Sequence, residues 1–166
     1  MATTLDNLKT AFAGESQANR KYLAYSRKAK DEGFAGISRL FRAAAEAETI
    51  HALGHFHAMD AVKSTADNLK DAVAGETYEY KEMYPPMLEQ AKAENHRARI
   101  MFGFALKAEE VHARLYQKAL DAITAGKDLE GVEIYLCTVC GNIELGKPSA
   151  KCSVCNAGPD RFEKIE

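Results

Sequence analysis

Glu48-Thr49-Ile50-His51 and Glu109-Glu110-Val111-His112 are two copies of a Glu-x-x-His segment, each set in an alanine-rich stretch. Residues three apart share a helix face, so each copy aims one carboxylate and one imidazole the same way. Two such faces, with one more Glu from each of two other helices, make a bundle core that holds two metal ions. The copies lie 61 residues apart, and the same offset relates Ala13-Gly14-Glu15-Ser16 to Ala74-Gly75-Glu76-Thr77, Phe41 to Phe102, Ala44 to Ala105 and Ala47 to Ala108. This internal repeat predicts two copies of one helical hairpin, over about residues 5–62 and 66–123.

Residues that face each other in an antiparallel helix pair have numbers with a constant sum. Glu15 and Glu48 have their midpoint at Asp31-Glu32, beside Gly33, where composition favours a turn. Glu76 with His112, and Glu79 with Glu109, both centre on Glu94, next to Asn95. The acidic and imidazole groups of each hairpin thus fall at one level, with Phe12 opposite His51.

Helices are expected from Leu5 to about Asp31, from about Ala35 to Ala61, from Glu76 to about Glu94 and from about His96 to Ala125, ended by Gly126. Ser64-Thr65-Ala66-Asp67 is a polar break. Leu69 to Val73 is expected as a short helix in a crossover that returns the second hairpin to the level of the first. Tyr84-Pro85-Pro86 predicts a kink or restart in the third long helix. From Glu133 the composition changes, with a strand-like Ile134-Tyr135-Leu136 and almost no alanine. The expected organisation is mainly α: a ferritin-like four-helix bundle over residues 1–132, then a four-cysteine domain over residues 133–166.

The 166 residues are 46% hydrophobic and 28% charged with a net charge of -2, an ordinary globular composition. No basic stripe for nucleic acid, no polybasic anchor and no run of about 18 apolar residues is present, so neither nucleic acid nor a membrane is an expected partner. Met1 to Asp6 lack the charged and apolar regions of a signal peptide, and the expected location is cytoplasmic.

Buried carboxylates are costly unless cations neutralise them, so the metal belongs to the structure. Glu and His together suit iron or manganese better than magnesium, and zinc also fits. Glu79 has no counterpart in the first hairpin, where Ala18 stands. Tyr22 and Tyr84 are placed to donate hydrogen bonds to ligating carboxylates. All four cysteines lie in the tail as Cys137-x-x-Cys140 and Cys152-x-x-Cys155. Paired knuckles in a reducing compartment bind one metal tetrahedrally, either a structural zinc or a one-electron iron.

Gly14-Glu15-Ser16-Gln17-Ala18-Asn19, Glu48-x-x-His51, Gly75-Glu76-Thr77-Tyr78-Glu79, Met83-Tyr84-Pro85, Glu109-Glu110-x-His112 and the two cysteine pairs together resemble the rubrerythrin family along the whole chain. The resemblance implies a bundle followed by a rubredoxin-like domain, with two irons per chain in the bundle and one in the four-cysteine site; zinc could enter by substitution. It also implies that Glu48 and Glu109 bridge the two irons, that Glu15 and Glu79 bind one, and that Glu76 and His112 bind the other. His51 would exchange with Glu79 as the redox state changes, and Tyr22 and Tyr84 would stand behind the ligands.

The implied activity is reduction of hydrogen peroxide to water, with electrons passing from a NAD(P)H-dependent reductase, often through rubredoxin, to the four-cysteine iron and then to the pair. A homodimer is implied, in some members with helices exchanged. If the two centres of one chain are far apart, a head-to-tail dimer is expected to bring one subunit's four-cysteine iron near the other's di-iron site. Ser153 departs from the family, where proline often follows the first cysteine of this knuckle. The competing readings are a ferroxidase or mini-ferritin, and a non-catalytic binding protein with a zinc ribbon.

Overall fold

The computed structural model describes residues 2–166, and they form two compact units, one ending at Lys63 and the other beginning at Ser64. In the first, α1 (Thr4–Asp31) starts at a capping box: the Thr3 hydroxyl accepts from the Asp6 N–H at 3.2 Å, and the Asp6 carboxylate accepts from the Thr3 N–H at 2.9 Å. Gly33, at φ +86°, turns the chain into α2 (Ala35–Ala58). The two helices close on small side chains, with Ala29, Ala45 and Ala52 buried between them. Polar clasps cross the seam. Asn19 Nδ2 donates to the Ala45 carbonyl at 2.7 Å, and the Ser26 hydroxyl donates to the Ser38 carbonyl at 2.9 Å.

The second unit begins with α3 (Thr65–Tyr78), followed by a π-helical turn (Glu79–Met83), α4 (Tyr84–Ala93) and α5 (Ala98–Thr124). The expected crossover with its own short helix does not exist. Ser64 caps α3 by accepting from the Asp67 N–H, and the helix runs unbroken through Leu69–Val73 and on past Glu76. Gly75 costs about 1 kcal/mol there but does not stop the helix. The second helix also ends earlier than expected, because Met59 caps it and Asp60 turns left-handed at φ 51°.

The interruption expected at the prolines lies just upstream of them. Pro85 and Pro86 open α4, where few backbone donors are needed. In a regular helix their rings would crowd the carbonyls of Lys81 and Glu82, and the wide turn over Glu79–Met83 gives that room. Asn95, at φ 50°, closes this hairpin next to the midpoint expected for it.

After α5 the tail forms a three-stranded antiparallel sheet from β1 (Ile134–Cys137), β2 (Ile143–Leu145) and β3 (Phe162–Ile165), in the order β2-β1-β3. Its buried centre is Cys137, Cys140, Cys152 and Val154, with Phe104 of α5 packed against it. The tail is therefore part of the same compact unit as the second hairpin. No helix among the described residues is long and apolar enough to cross a membrane.

Gly33 has open space around it but a backbone that side chains resist. Gly33→Ala is expected to destabilise the protein by about 1 kcal/mol, read as a lower urea midpoint at unchanged slope.

Candidate metal centres

The first hairpin brings Glu15 of α1 together with Glu48 and His51 of α2, ligand atoms within 4.8 Å of one another; the second does the same with Glu76 of α3 and with Glu109 and His112 of α5. The repeat in sequence is thus a repeat of one half-site. In each, the i, i+3 pair is locked by its own contact: His51 Nδ1 lies 3.1 Å from a Glu48 oxygen, and His112 Nδ1 lies 2.7 Å from a Glu109 oxygen. Glu76 approaches the same His112 nitrogen at 3.7 Å.

The electrostatics of both half-sites point to a cation. Glu15 is held above the usual carboxylate range, first by a hydrogen bond shared with Glu48 and then by burial and the repulsion of that charge; the same hydrogen bond, with that from His51, lowers Glu48. Glu76 is pushed up to about 7 by burial, by repulsion from Glu109 and by the hydrogen bond they share, against the pull of His112. Carboxylates crowded so that ionising both is disfavoured form a site whose charge a metal ion can neutralise.

Glu79 lies in the π-helical turn and is not among the three gathered ligands of its hairpin. Burial raises its pKa, followed by repulsion from Glu109. Tyr84 faces the same charges: burial raises its pKa first, then Glu109, Glu79 and Glu76 in turn. Tyr22 instead packs on the rings of Phe41 and Tyr25, with centroids 6.2 and 6.3 Å away. Phe12 stacks on Phe56 at 4.9 Å.

The two knuckles repeat one local fold. The Gly141 N–H donates to the Cys137 carbonyl and the Asn156 N–H to the Cys152 carbonyl, each at 2.9 Å, and Gly141 and Asn156 are both left-handed, at φ 82° and 61°. Sulfur atoms of opposite knuckles lie 3.7 Å apart for Cys137–Cys155 and 3.6 Å for Cys140–Cys152. A tetrahedron with metal–sulfur bonds of about 2.3 Å has edges of about 3.75 Å, whereas a disulfide would need about 2.05 Å. The thiols are set for one metal. Burial pushes Cys140 and Cys155 up; at Cys137 burial acts the same way, but hydrogen bonds from the Val139 and Cys140 backbone N–H groups and from the Cys140 and Cys155 side chains together lower it.

The two kinds of site meet at one hydrogen bond. His112 Nε2 lies 2.9 Å from the carbonyl oxygen of Gly141, the residue that follows Cys140. A carbonyl only accepts, so Nε2 carries the proton and Nδ1, facing Glu109 and Glu76, is left as the free ligand nitrogen. The knuckle thus rests on the metal-facing histidine of its own chain's second hairpin. Gly141 and Phe104 were not singled out in the sequence as parts of this contact; Gly141 could be read there only as the end of a knuckle.

Two histidine-and-carboxylate half-sites on repeated hairpins, with a four-thiolate site behind one of them, define a di-iron oxidoreductase with an attached one-electron centre. The chain matches the Rubrerythrin family over residues 6–120, and the rubredoxin-like domain of rubrerythrin over residues 135–163. It is 37% identical to Rubrerythrin-2 of Clostridium acetobutylicum over 177 aligned positions, covering 98% of this chain and 96% of that protein. It is 36% identical to nigerythrin of Nitratidesulfovibrio vulgaris, covering 98% and 86%. The solved structure of fully reduced, all-ferrous nigerythrin matches with a TM-score of 0.59 at 33% identity, over 99% of this chain and 88% of that one. The chain belongs to the rubrerythrin family, and its residues fit the iron pair and the four-cysteine iron of that family.

With Glu76 raised to about 7, the metal-free fold binds a proton that the unfolded chain releases near 4.5, so its stability falls as pH rises between those values. Thermal melts of metal-free protein are expected to drop by a few degrees from pH 5 to pH 7.5. Glu76→Gln should flatten that dependence and weaken metal binding at the second hairpin, read by competition titration.

Proposed function

We infer that the chain reduces hydrogen peroxide to water, with electrons entering at the four-cysteine site from rubredoxin or a NAD(P)H-dependent reductase. The observation that supports this most is the 2.9 Å hydrogen bond from His112 Nε2 to the Gly141 carbonyl. It gives a path of three consecutive groups, the Cys140 thiolate, the Gly141 peptide and the His112 imidazole, between the two centres.

When bound, the iron pair supplies two electrons to the O–O bond, and with two protons one peroxide becomes two waters. Residue by residue, Glu48 and Glu109 would bridge the pair, Glu15 and Glu79 would hold one ion, and Glu76 and His112 the other. His112 is fixed at both ring nitrogens. His51 is held by Glu48 at one ring nitrogen, and its side chain is 55% exposed, which suits it to be the ligand that leaves and returns. Glu79 sits in the π-helical turn, a wider turn that leaves its carboxylate room to trade places with an imidazole. Tyr84 Oη, kept protonated by burial and then by the surrounding carboxylates, would serve as a hydrogen-bond donor beside them. Tyr22, packed among rings, would steady the first hairpin.

A ferroxidase or mini-ferritin has no use for a thiolate centre joined to a ligand histidine, and a zinc ribbon has no use for the electron path. The proposed division at residue 132/133 separates a peroxide-reacting bundle from an electron-receiving domain, in a cytoplasmic homodimer.

Cys152→Ser is expected to abolish peroxide turnover driven by a reductase, while the chemically reduced protein still consumes peroxide in a single turnover measured by stopped flow. Unchanged reductase-driven turnover would refute the path. In the unaltered protein, metal counting should give about three irons per chain with a red ferric-thiolate absorption.

A further inference from the structure

A peptide group carries an acceptor on one side and a donor on the other, and the group between Gly141 and Asn142 uses both on metal-facing side chains. Its carbonyl, that of Gly141, lies 2.9 Å from His112 Nε2. Its N–H, that of Asn142, donates to the Cys140 sulfur. Imidazole, amide and sulfur thus form one hydrogen-bonded chain in which every proton points toward the cysteine. Hydrogen bonds in such a chain polarise one another, so strengthening one strengthens the next.

The second knuckle supplies the contrast. The Ala157 N–H donates to the Cys155 sulfur as the Asn142 N–H does to Cys140. The carbonyl of that peptide belongs to Asn156, and His112 Nε2 is already taken by Gly141. The peptide on the first knuckle is also held still. The Gly141 N–H donates to the Cys137 carbonyl at 2.9 Å, and the Cys137 N–H donates to the Asn142 carbonyl at 2.8 Å. The Asn142 side chain is buried, and its Nδ2 donates to a Glu144 oxygen at 3.3 Å. With the groups on both sides tied to Cys137, the peptide keeps its carbonyl on His112 and its N–H on Cys140.

We propose that the Gly141–Asn142 peptide couples the two metal centres in equilibrium: an ion held at His112 Nδ1 makes the four-cysteine iron easier to reduce, and that reduction tightens the hold on the ion. With a cation on Nδ1 the ring is electron-poor and Nε2–H is a stronger donor. The Gly141 carbonyl is then more polarised, the Asn142 N–H more acidic, and its bond to the Cys140 sulfur stronger. Reduction adds one negative charge to the iron and its thiolates, which a stronger donor stabilises. Linkage makes the effect reciprocal by the same factor. A chain without bundle metal is therefore the weaker electron acceptor, which directs electrons to chains able to use them. The coupling concerns affinity and potential, and it holds whichever oxidant the chain serves.

Two measurements test this, and neither uses peroxide or a reductase. In the isotopically labelled full chain with zinc in the four-cysteine site, zinc is titrated into the bundle and the amide protons are followed by NMR. The Asn142 amide proton should move downfield several-fold further than that of Ala157. Equal movement would mean a field acting through space, and no movement would mean no coupling; either result overturns the proposal. In the second, the potential of the four-cysteine iron is read from its ferric-thiolate absorption with the bundle empty and with redox-inert zinc in it. Filling should raise the potential by about 40 mV, which is about fivefold in zinc affinity at ~59 mV per tenfold. Asn142→Pro removes the N–H and should lose most of that rise, whereas a full rise in this variant would exclude the peptide as the link. The amide comparison is made on the unaltered chain and does not depend on how that variant folds.

Discussion

Carboxylates packed beside each other inside a helical hairpin repel, and this chain relies on that repulsion. Glu76 and Glu109 crowd one imidazole, and Glu15 and Glu48 crowd another, until one member of each pair is held above its ordinary pKa. Without a cation the crowding favours the protonated form of one carboxyl in each pair. With a cation, the same charges become ligands, and metal loading becomes part of the folding energy. The small side chains along the seams, Ala45 and Ala108 among them, let the helices come close enough for the crowding to occur.

The second hairpin differs from the first in ways that give it a separate task. His112 is held at both nitrogens, one by carboxylates and the other by the Gly141 carbonyl, while His51 is held at one and is open to solvent. The π-helical turn places Glu79 and Tyr84 near this site and has no equivalent in α1. One hairpin's imidazole is joined through the Gly141 carbonyl to a cysteine knuckle, and the other's has no such link. A duplicated unit is thus made asymmetric by a few contacts, which fix the tautomer of His112 and leave His51 open to solvent.

The sulfur atoms of the tail show how little chain is needed when metal supplies the core. Three short strands and two knuckles bury three cysteines, one valine and the amide of Asn142. The spacing of opposite sulfur atoms fits a tetrahedral ion, and the backbone N–H groups turned toward Cys137 stabilise thiolate charge. Such hydrogen bonds are among the means by which a protein sets the potential of a thiolate iron.

The sequence alone determined what is local or periodic: the ligand faces at i and i+3, the 61-residue repeat, the turns at Gly33 and Asn95, and the two cysteine knuckles. These follow from helix geometry and from the few residues that tolerate left-handed backbone. It misplaced the crossover, because a capped helix beginning at Thr65 is set by where Ser64 can accept a hydrogen bond, and polar breaks of different lengths look alike in composition. Only the tertiary structure could join His112 to Gly141, 29 residues further on, choose the imidazole nitrogen that faces the carboxylates, and set a π-helical turn ahead of the prolines. Those outcomes depend on where the chain goes after it leaves a helix, and helical periodicity carries no information about that path.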